Sequence, residues 1–512
     1  MASRAGAISA ALLGLAVAAL TLGSAALTAG HATDWSLGPA DGAALRFTLL
    51  QAALSALVSC LLAIPLARAL ARRRFPGRLA LIRLLAAPFL LPVVVAVLGL
   101  LAIFGRAGPV NAAISALGLP TLSIFGLHGV VLAHVFLNLP LVARILLQGW
   151  QAIPAERFRL AEALSMPPVA QFRHLEAPML RSLLPGALAT VFLLCLTSFA
   201  VALTLGGGPK ASTLELAIYQ ALRFEFDLGR AALLAALQFG LCAAITLASF
   251  RLTTAAVFGP GLGRDIAIPA PKGWRRGADG VTIGLAIAFL MGPLLAILLR
   301  GLPGLTDLPA GLWPALGRSF GLAVLSAALA SGIALTLALA VARGQGWLEL
   351  TAMLPLSASG LVMGTGLFLA IHPQMSPEML ALPVTLAVNA AMALPYLFRL
   401  LLPETRALLA DYGRLCDSLG LSGPARLRLV ILPRLARPLG FGAGLAAALS
   451  MGDLGVIALF AGARTETLPL LIQRLMGAYR MEAAAGASLV LVGASFALFW
   501  AFDRWGATRA AA

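Results

Sequence analysis

The chain has 512 residues, 60% of them hydrophobic and only 11% charged. A soluble globular chain carries about 25% charged residues, so most of this surface is closed to water and faces lipid. The formal charge of +17 does not imply a nucleic-acid partner, because the basic residues are nearly all Arg and collect between apolar runs, as in the loops of a membrane protein.

A run of roughly 20 apolar residues crosses a bilayer as a helix. Twelve such runs follow one another near residues 6–29, 46–70, 79–104, 127–149, 186–205, 229–250, 280–299, 317–342, 350–371, 381–402, 439–460 and 482–503. The first, after Arg4, exceeds the roughly 7–15 residues of a signal-peptide core and reads as an uncleaved span. The runs are apolar all round. Strands of a membrane barrel would alternate over about ten residues, so length selects helix. Cys60, Cys195 and Cys242 fall inside runs, and none of the four cysteines forms a CxxC pair, so they read as small packing residues. With the N-terminus in the cytoplasm, 27 of the 37 Lys and Arg residues fall on the inner side. This satisfies the positive-inside rule and puts both termini in the cytoplasm.

A polar stretch, 251–279, contains Gly259-Pro260-Gly261, Pro269 to Gly273 and Trp274-Arg275-Arg276. It reads as a cytoplasmic linker between a half at 1–250 (core 46–250) and a half at 280–512 (core 317–503). The halves repeat. Leu139-Pro140 with Arg144 matches Leu394-Pro395 with Arg399 at an offset of 255. Ala161, Leu164, Ser165 and Pro178 match Cys416, Leu419, Gly420 and Pro433 at the same offset. Six spans on each side of the linker give two parallel six-helix repeats about an axis along the membrane normal.

Each half carries one long loop before its fifth span, 151–185 and 403–438. A short helical piece (Glu156 to Leu164; Asp411 to Leu419) precedes a break at Pro167-Pro168 or at Gly420 with Gly423-Pro424, residues that stop helices. Leu160 and Leu164 share a helix face, as do Leu415 and Leu419. An apolar stripe outside the membrane, flanked by Arg, fits a groove in a protein partner. A solvated hairpin is the plainer reading, which the twofold occurrence at one spacing disfavours.

These loops resemble the EAA loop of binding-protein-dependent ABC importer permeases, whose pattern is Glu-Ala-Ala, three residues, Gly, nine residues, Ile-x-Leu-Pro. Leu419-Gly420, nine residues and Val430-Ile431-Leu432-Pro433 keep it in the second half. The first half keeps Ala161 and Leu164, with Ser165 at the Gly position and Ala177-Pro178 at the end. Arg159 and Arg414 stand where the pattern has Glu. The resemblance implies a type I ABC importer permease fold, all-α and polytopic in the bacterial inner membrane, with loops that dock on an ATPase subunit. No G-x-x-x-x-G-K-[ST] loop occurs, so no cofactor is expected on this chain and ATP is used by the partner. His31, His128, His134, His174 and His372 are scattered, and no metal site is expected.

Two further stretches, Leu205 to Pro209 with Thr213 to Asp227, and Leu449 to Phe460, resemble the permease of thiamine ABC transporters. The resemblance implies a non-catalytic subunit that translocates thiamine and its phosphates. It also implies two ATPase copies, a periplasmic thiamine-binding protein and no nucleic acid as partners. A fused permease for ferric iron or another small substrate is the alternative. Thiamine carries a cationic thiazolium, and Asp453 lies two-thirds along the eleventh span, where an acid is costly and marks a polar path or a partner. Its counterpart at offset 255 is Ser198. Asp453 either lines the path or serves structurally, paired with an Arg or capping backbone. Glu215, Tyr219 and Gln220 read as a gate, as contacts to the binding protein, or as a surface helix. A membrane enzyme would need a clustered acid, base or nucleophile, and a secondary transporter would not need the paired loops.

Overall fold

The computed structural model describes residues 4–32, 34–85, 90–208, 211–252, 273–421, 423–462 and 464–511. Regular structure among them is helical. Eleven helical segments are long and apolar enough to cross a membrane, and a twelfth qualifies as a pair, Trp347–Ser357 with Gly360–Ile371, bent by 90°.

The first half contains α1 (Arg4–His31), α2 (Pro39–Arg72), α3 (Val93–Phe104), α4 (Leu127–Ala152), α5 (Ala155–Ala163), α6 (Ala177–Leu196), α7 (Phe199–Leu205), α8 (Leu214–Gln220) and α9 (Leu228–Leu252). The second contains α10 (Trp274–Gly304), α11 (Leu312–Ala342), α12 (Gly360–Ile371), α13 (Ala381–Ser418), α14 (Leu432–Met451), α15 (Gly455–Phe460), α16 (Leu468–Gly477) and α17 (Met481–Ala511). The repeat extends to backbone detail. Helices α6 and α14 start and stop 255 residues apart. Each is entered through a single π turn, Phe172–Glu176 or Leu427–Ile431, at that same offset. Such turns insert one extra residue and often accompany function. Thr48 Oγ accepts the Leu214 N–H at 2.8 Å and Ser319 Oγ accepts the Leu468 N–H at 2.9 Å. Each bond satisfies a donor at a helix start that has no partner within the helix.

The two halves are laced together by their first helices. α1 packs on α9 of its own half and on α11 and α12 of the other, while α10 packs on α17 of its own half and on α2 and α3 of the first. Lipid tails are as apolar as leucine, so close backbone approach has to supply the attraction. Glycines make the room. A Cβ on Gly366 of α12 would lie 2.7 Å from Ser24 Cα of α1, and one on Gly99 of α3 would lie 2.8 Å from the Pro293 carbonyl oxygen of α10. These two glycines occupy the seventh position of their helices.

Several predicted spans are broken. The third, 79–104, is two helices, Arg78–Leu84 and α3, with 86–89 outside the described residues. The ninth turns sharply at Ala358 and Ser359. The fifth breaks at Thr197 and Ser198, and the eleventh at Gly452 to Leu454. Small polar residues and glycine supply the breaks in the fifth, ninth and eleventh, Pro92 precedes α3 in the third, and the apolar residues around them conceal them from a hydropathy reading. Of the linker, 253–272 lies outside the described residues, and Trp274 to Asp279 form the opening turns of α10. In the second half Pro403 does not end the helix. α13 runs on for 38 residues, so the short piece expected at Asp411 to Leu419 is its tail. In the first half, Ile153 is extended before Pro154, as a residue preceding proline prefers, and α5 stands apart.

Candidate functional site: paired loops and a cavity between the lobes

Helix α5 and the tail of α13 end in the same way. Ser165 at φ 49° and Gly420 at φ 65° occupy the left-handed region. Met166 N–H bonds to Ala161 C=O at 2.8 Å, and Leu421 N–H to Cys416 C=O at 2.9 Å. This is the Schellman stop, built on Ser in one half and Gly in the other. It explains why Ala161 and Cys416, both 2% exposed, face inward. Leu164 and Leu419 are 65% and 64% exposed, and Leu160 and Leu415 are exposed beside them. Arg159 and Arg414 are exposed on the same pieces. Pro178 and Pro433 sit in the first turns of α6 and α14, half-buried. Thus each loop presents leucines and arginines outward on a backbone stop that fixes its shape.

The first loop is anchored by a residue that pattern reading missed. Glu176 is 1% exposed and pairs with Arg68 at 2.6 Å and with Arg72, both from α2. The corresponding residue in the second half is Ile431, buried without charge. Glu176 sits within the repeated loop, but nothing in one sequence says that a glutamate there meets two arginines a hundred residues earlier.

A cavity of about 320 Å³ opens where the lobes meet. It is ringed by four helix starts: Pro92 before α3, Ser198 before α7, Ser359 before α12 and Asp453-Leu454 before α15. Broken helices at a bundle's centre create polar backbone ends where a solute passes. Asp453 Oδ1 accepts the Gly455 N–H at 3.2 Å, while Oδ2 has no hydrogen-bond partner. The two readings of Asp453 therefore combine, since one oxygen holds the start of α15 and the residue also lines the cavity. It forms no ion pair among the described residues. Glu215 comes from the other lobe and lines the same cavity. It is 1% exposed, lies beside Ser359, and has Oε1 unpartnered. Tyr219 stands one layer back, edge-to-face on the lining residue Phe199 at 5.1 Å. Gln220 is exposed and does not line the cavity. The sequence reading also passed over His134, a lining residue whose Nδ1 meets Ser55 at 3.2 Å and whose Nε2 is unpartnered.

Comparison with known proteins decides the family. No family model matches the chain. Over 476 residues it is 42% identical to the thiamine transport system permease protein ThiP of Escherichia coli strain K12, a match covering 90% of this chain and 88% of that protein. The chain belongs to the thiamine transport system permease family. ThiP of Haemophilus influenzae is 35% identical over 88% of this chain and 87% of its own length. A further match is to the molybdenum transport system permease protein ModB of Azotobacter vinelandii, 32% identical over 178 residues. That match uses 35% of this chain and 78% of ModB, so a stretch shorter than one half corresponds to most of a separate permease. As a ThiP-family member the chain is a multi-pass membrane subunit of a bacterial ABC importer and is not an enzyme.

Proposed function

We propose that this chain is the permease through which thiamine and its phosphates are driven across the inner membrane, working with two ATPase subunits and a periplasmic thiamine-binding protein. The observation that carries this reading is the likeness to ThiP proteins over 90% of the chain, and so over both halves. The clustering of Arg between spans supports cytoplasmic termini and cytoplasmic loops. In this orientation Leu164, Ser165, Leu419 and Gly420, flanked by Arg159 and Arg414, meet the ATPases. Ala161, Cys416, Pro178 and Pro433 hold the loops in shape. ATP is bound and hydrolysed by those partners, and the chain itself needs no cofactor. The units 1–250 and 280–512 act as the two lobes, joined through 251–279. Asp453 and Glu215 line the path, Tyr219 backs its aromatic wall, and Gln220 lies on the outer approach.

Labelled thiamine uptake, measured in cells lacking the chain and in cells with it restored, tests the function. Gly420→Asp tests the coupling. A Cβ at Gly420 meets nothing within 4 Å, and Ser165 holds the same left-handed turn in the other half, so the loss comes chiefly from a carboxylate on the docking face. Uptake should be restored by the wild type and fail with Gly420→Asp although the variant reaches the membrane. Undiminished uptake in the deletion strain, with no second carrier present, refutes the substrate.

A further inference from the structure

We propose that the interlobe cavity is itself a binding site for an aromatic organic cation, held between Glu215 of the first lobe and Asp453 of the second. The proposal rests on the importer reading above, and it adds that the permease recognises its solute rather than only letting it through.

Three buried polar atoms on cavity-lining residues lack partners: Glu215 Oε1, Asp453 Oδ2 and His134 Nε2. Buried polar atoms are nearly always satisfied, so orphans call for a ligand or solvent. These three come from α8, the break before α15, and α4, which places them around one space instead of along one helix. The sign of the charge can be weighed. Helix starts around the cavity favour negative charge, and two acidic side chains, Glu215 and Asp453, line it with no Arg or Lys among the lining residues. The start of α15 already uses Asp453 Oδ1, with Asn389 also beside that carboxylate, and Ser359 lies beside Glu215, yet Asp453 Oδ2 and Glu215 Oε1 have no hydrogen-bond partner. Phe199 lines the same space and is braced by Tyr219, giving a ring face of the kind that attracts cations. A volume of about 320 Å³ lies at the small end of the range for small-molecule pockets, about 300–1,000 Å³. The acids have no counterparts across the pseudo-twofold. Ser198 matches Asp453, and Pro469 stands opposite Glu215, since Thr213 and Thr467 precede α8 and α16 alike. The site is therefore asymmetric, as a single solute molecule requires.

The test uses the whole complex, with ATPase and binding protein, in proteoliposomes. Turnover is measured for thiamine and for its isostere in which neutral thiophene replaces the thiazolium. Both are supplied on saturating binding protein whose affinity for each is measured separately. The wild type should move the cation about tenfold faster, the rate factor for about 1.4 kcal/mol. Asp453→Asn and Glu215→Gln should slow the cation alone and bring the ratio towards one. Ser198→Asp in the Asp453→Asn background puts a carboxylate back into the cavity from the symmetric position, where an acid also suits a helix start, and should restore the preference. If the variants slow both compounds by the same factor, or leave the preference intact, the proposal is overturned. If one single variant does not assemble, the other carries the same readout. A wild-type complex that moves neither compound removes the importer reading and the proposal with it.

Discussion

The crossing of α1 over the second lobe includes a backbone notch at Gly366, and filling it gives a sharp prediction. In Gly366→Ala the new Cβ would fall 2.7 Å from Ser24 Cα and 2.8 Å from the Ser24 carbonyl carbon. Carbon atoms in contact prefer about 3.5–4.0 Å, so the helices must part by roughly 1 Å. Both obstructing atoms are backbone, and no rotamer can move them aside. Overpacking of this kind costs about 1–3 kcal/mol. About 2 kcal/mol is expected here, because α1 is held at one long edge and can retreat into lipid. Gly99→Ala should cost less, since two of the three atoms it meets belong to the Ile297 side chain and only one, the Pro293 carbonyl oxygen, is backbone. Gly23→Ala meets nothing within 4 Å and should be neutral or stabilising by up to about 1 kcal/mol through helix propensity. Thermal unfolding of the purified chain in detergent ranks the three. If Gly366→Ala unfolds at the same temperature as Gly23→Ala, close packing of the crossed helices is not what joins the lobes.

Two further perturbations probe the loop anchor and the repeat. Glu176→Ala should destabilise the first loop by about 3 kcal/mol, the low end for removing one partner of a buried ion pair, because Arg68 keeps 31% of its side chain in solvent. Limited proteolysis between Pro154 and Pro178 should accelerate, while Ile431→Ala should expose the second loop through lost packing alone. Thr48→Val and Ser319→Ala each strand one buried helix-start N–H at a cost of about 1–3 kcal/mol. Matching losses of thermal stability would bear out the equivalence of Thr48 and Ser319, whereas a loss at one site only would show that one of the two bonds is idle.

The spans and the paired loops were legible because each rests on a local signal. A span needs only length and apolarity, and the loops announced themselves by repeating Leu164-Ser165 as Leu419-Gly420. The helix breaks were not legible. Ser198 and Gly452 are single small residues in apolar surroundings, and whether such residues bend a helix is settled by the neighbours that take up the freed backbone bonds. Asp453 was conspicuous as an acid in a span, but its sharing a cavity with Glu215 depends on how two lobes pack. Nor does an apolar helix carry a label for its partner. The crossing of α1 includes a notch at Gly366, which looks like any other glycine in a membrane helix. Glu176 was hidden for the opposite reason, since a charged residue in a charged loop attracts no notice until its arginines are placed.

The unequal construction of the two paired loops has a mechanical side. α13 carries Leu419 just past the end of 38 continuous residues, a rod of about 57 Å at 1.5 Å per residue. That is longer than the roughly 30 Å hydrocarbon core it enters. Leu164 sits beyond a joint at Ile153-Pro154 that separates α5 from α4. A load applied at Leu419 enters the bundle through unbroken helix, whereas the same load at Leu164 must cross the joint before α5. Equal loads on the two ends would therefore move one lobe as a piston and the other as a crank.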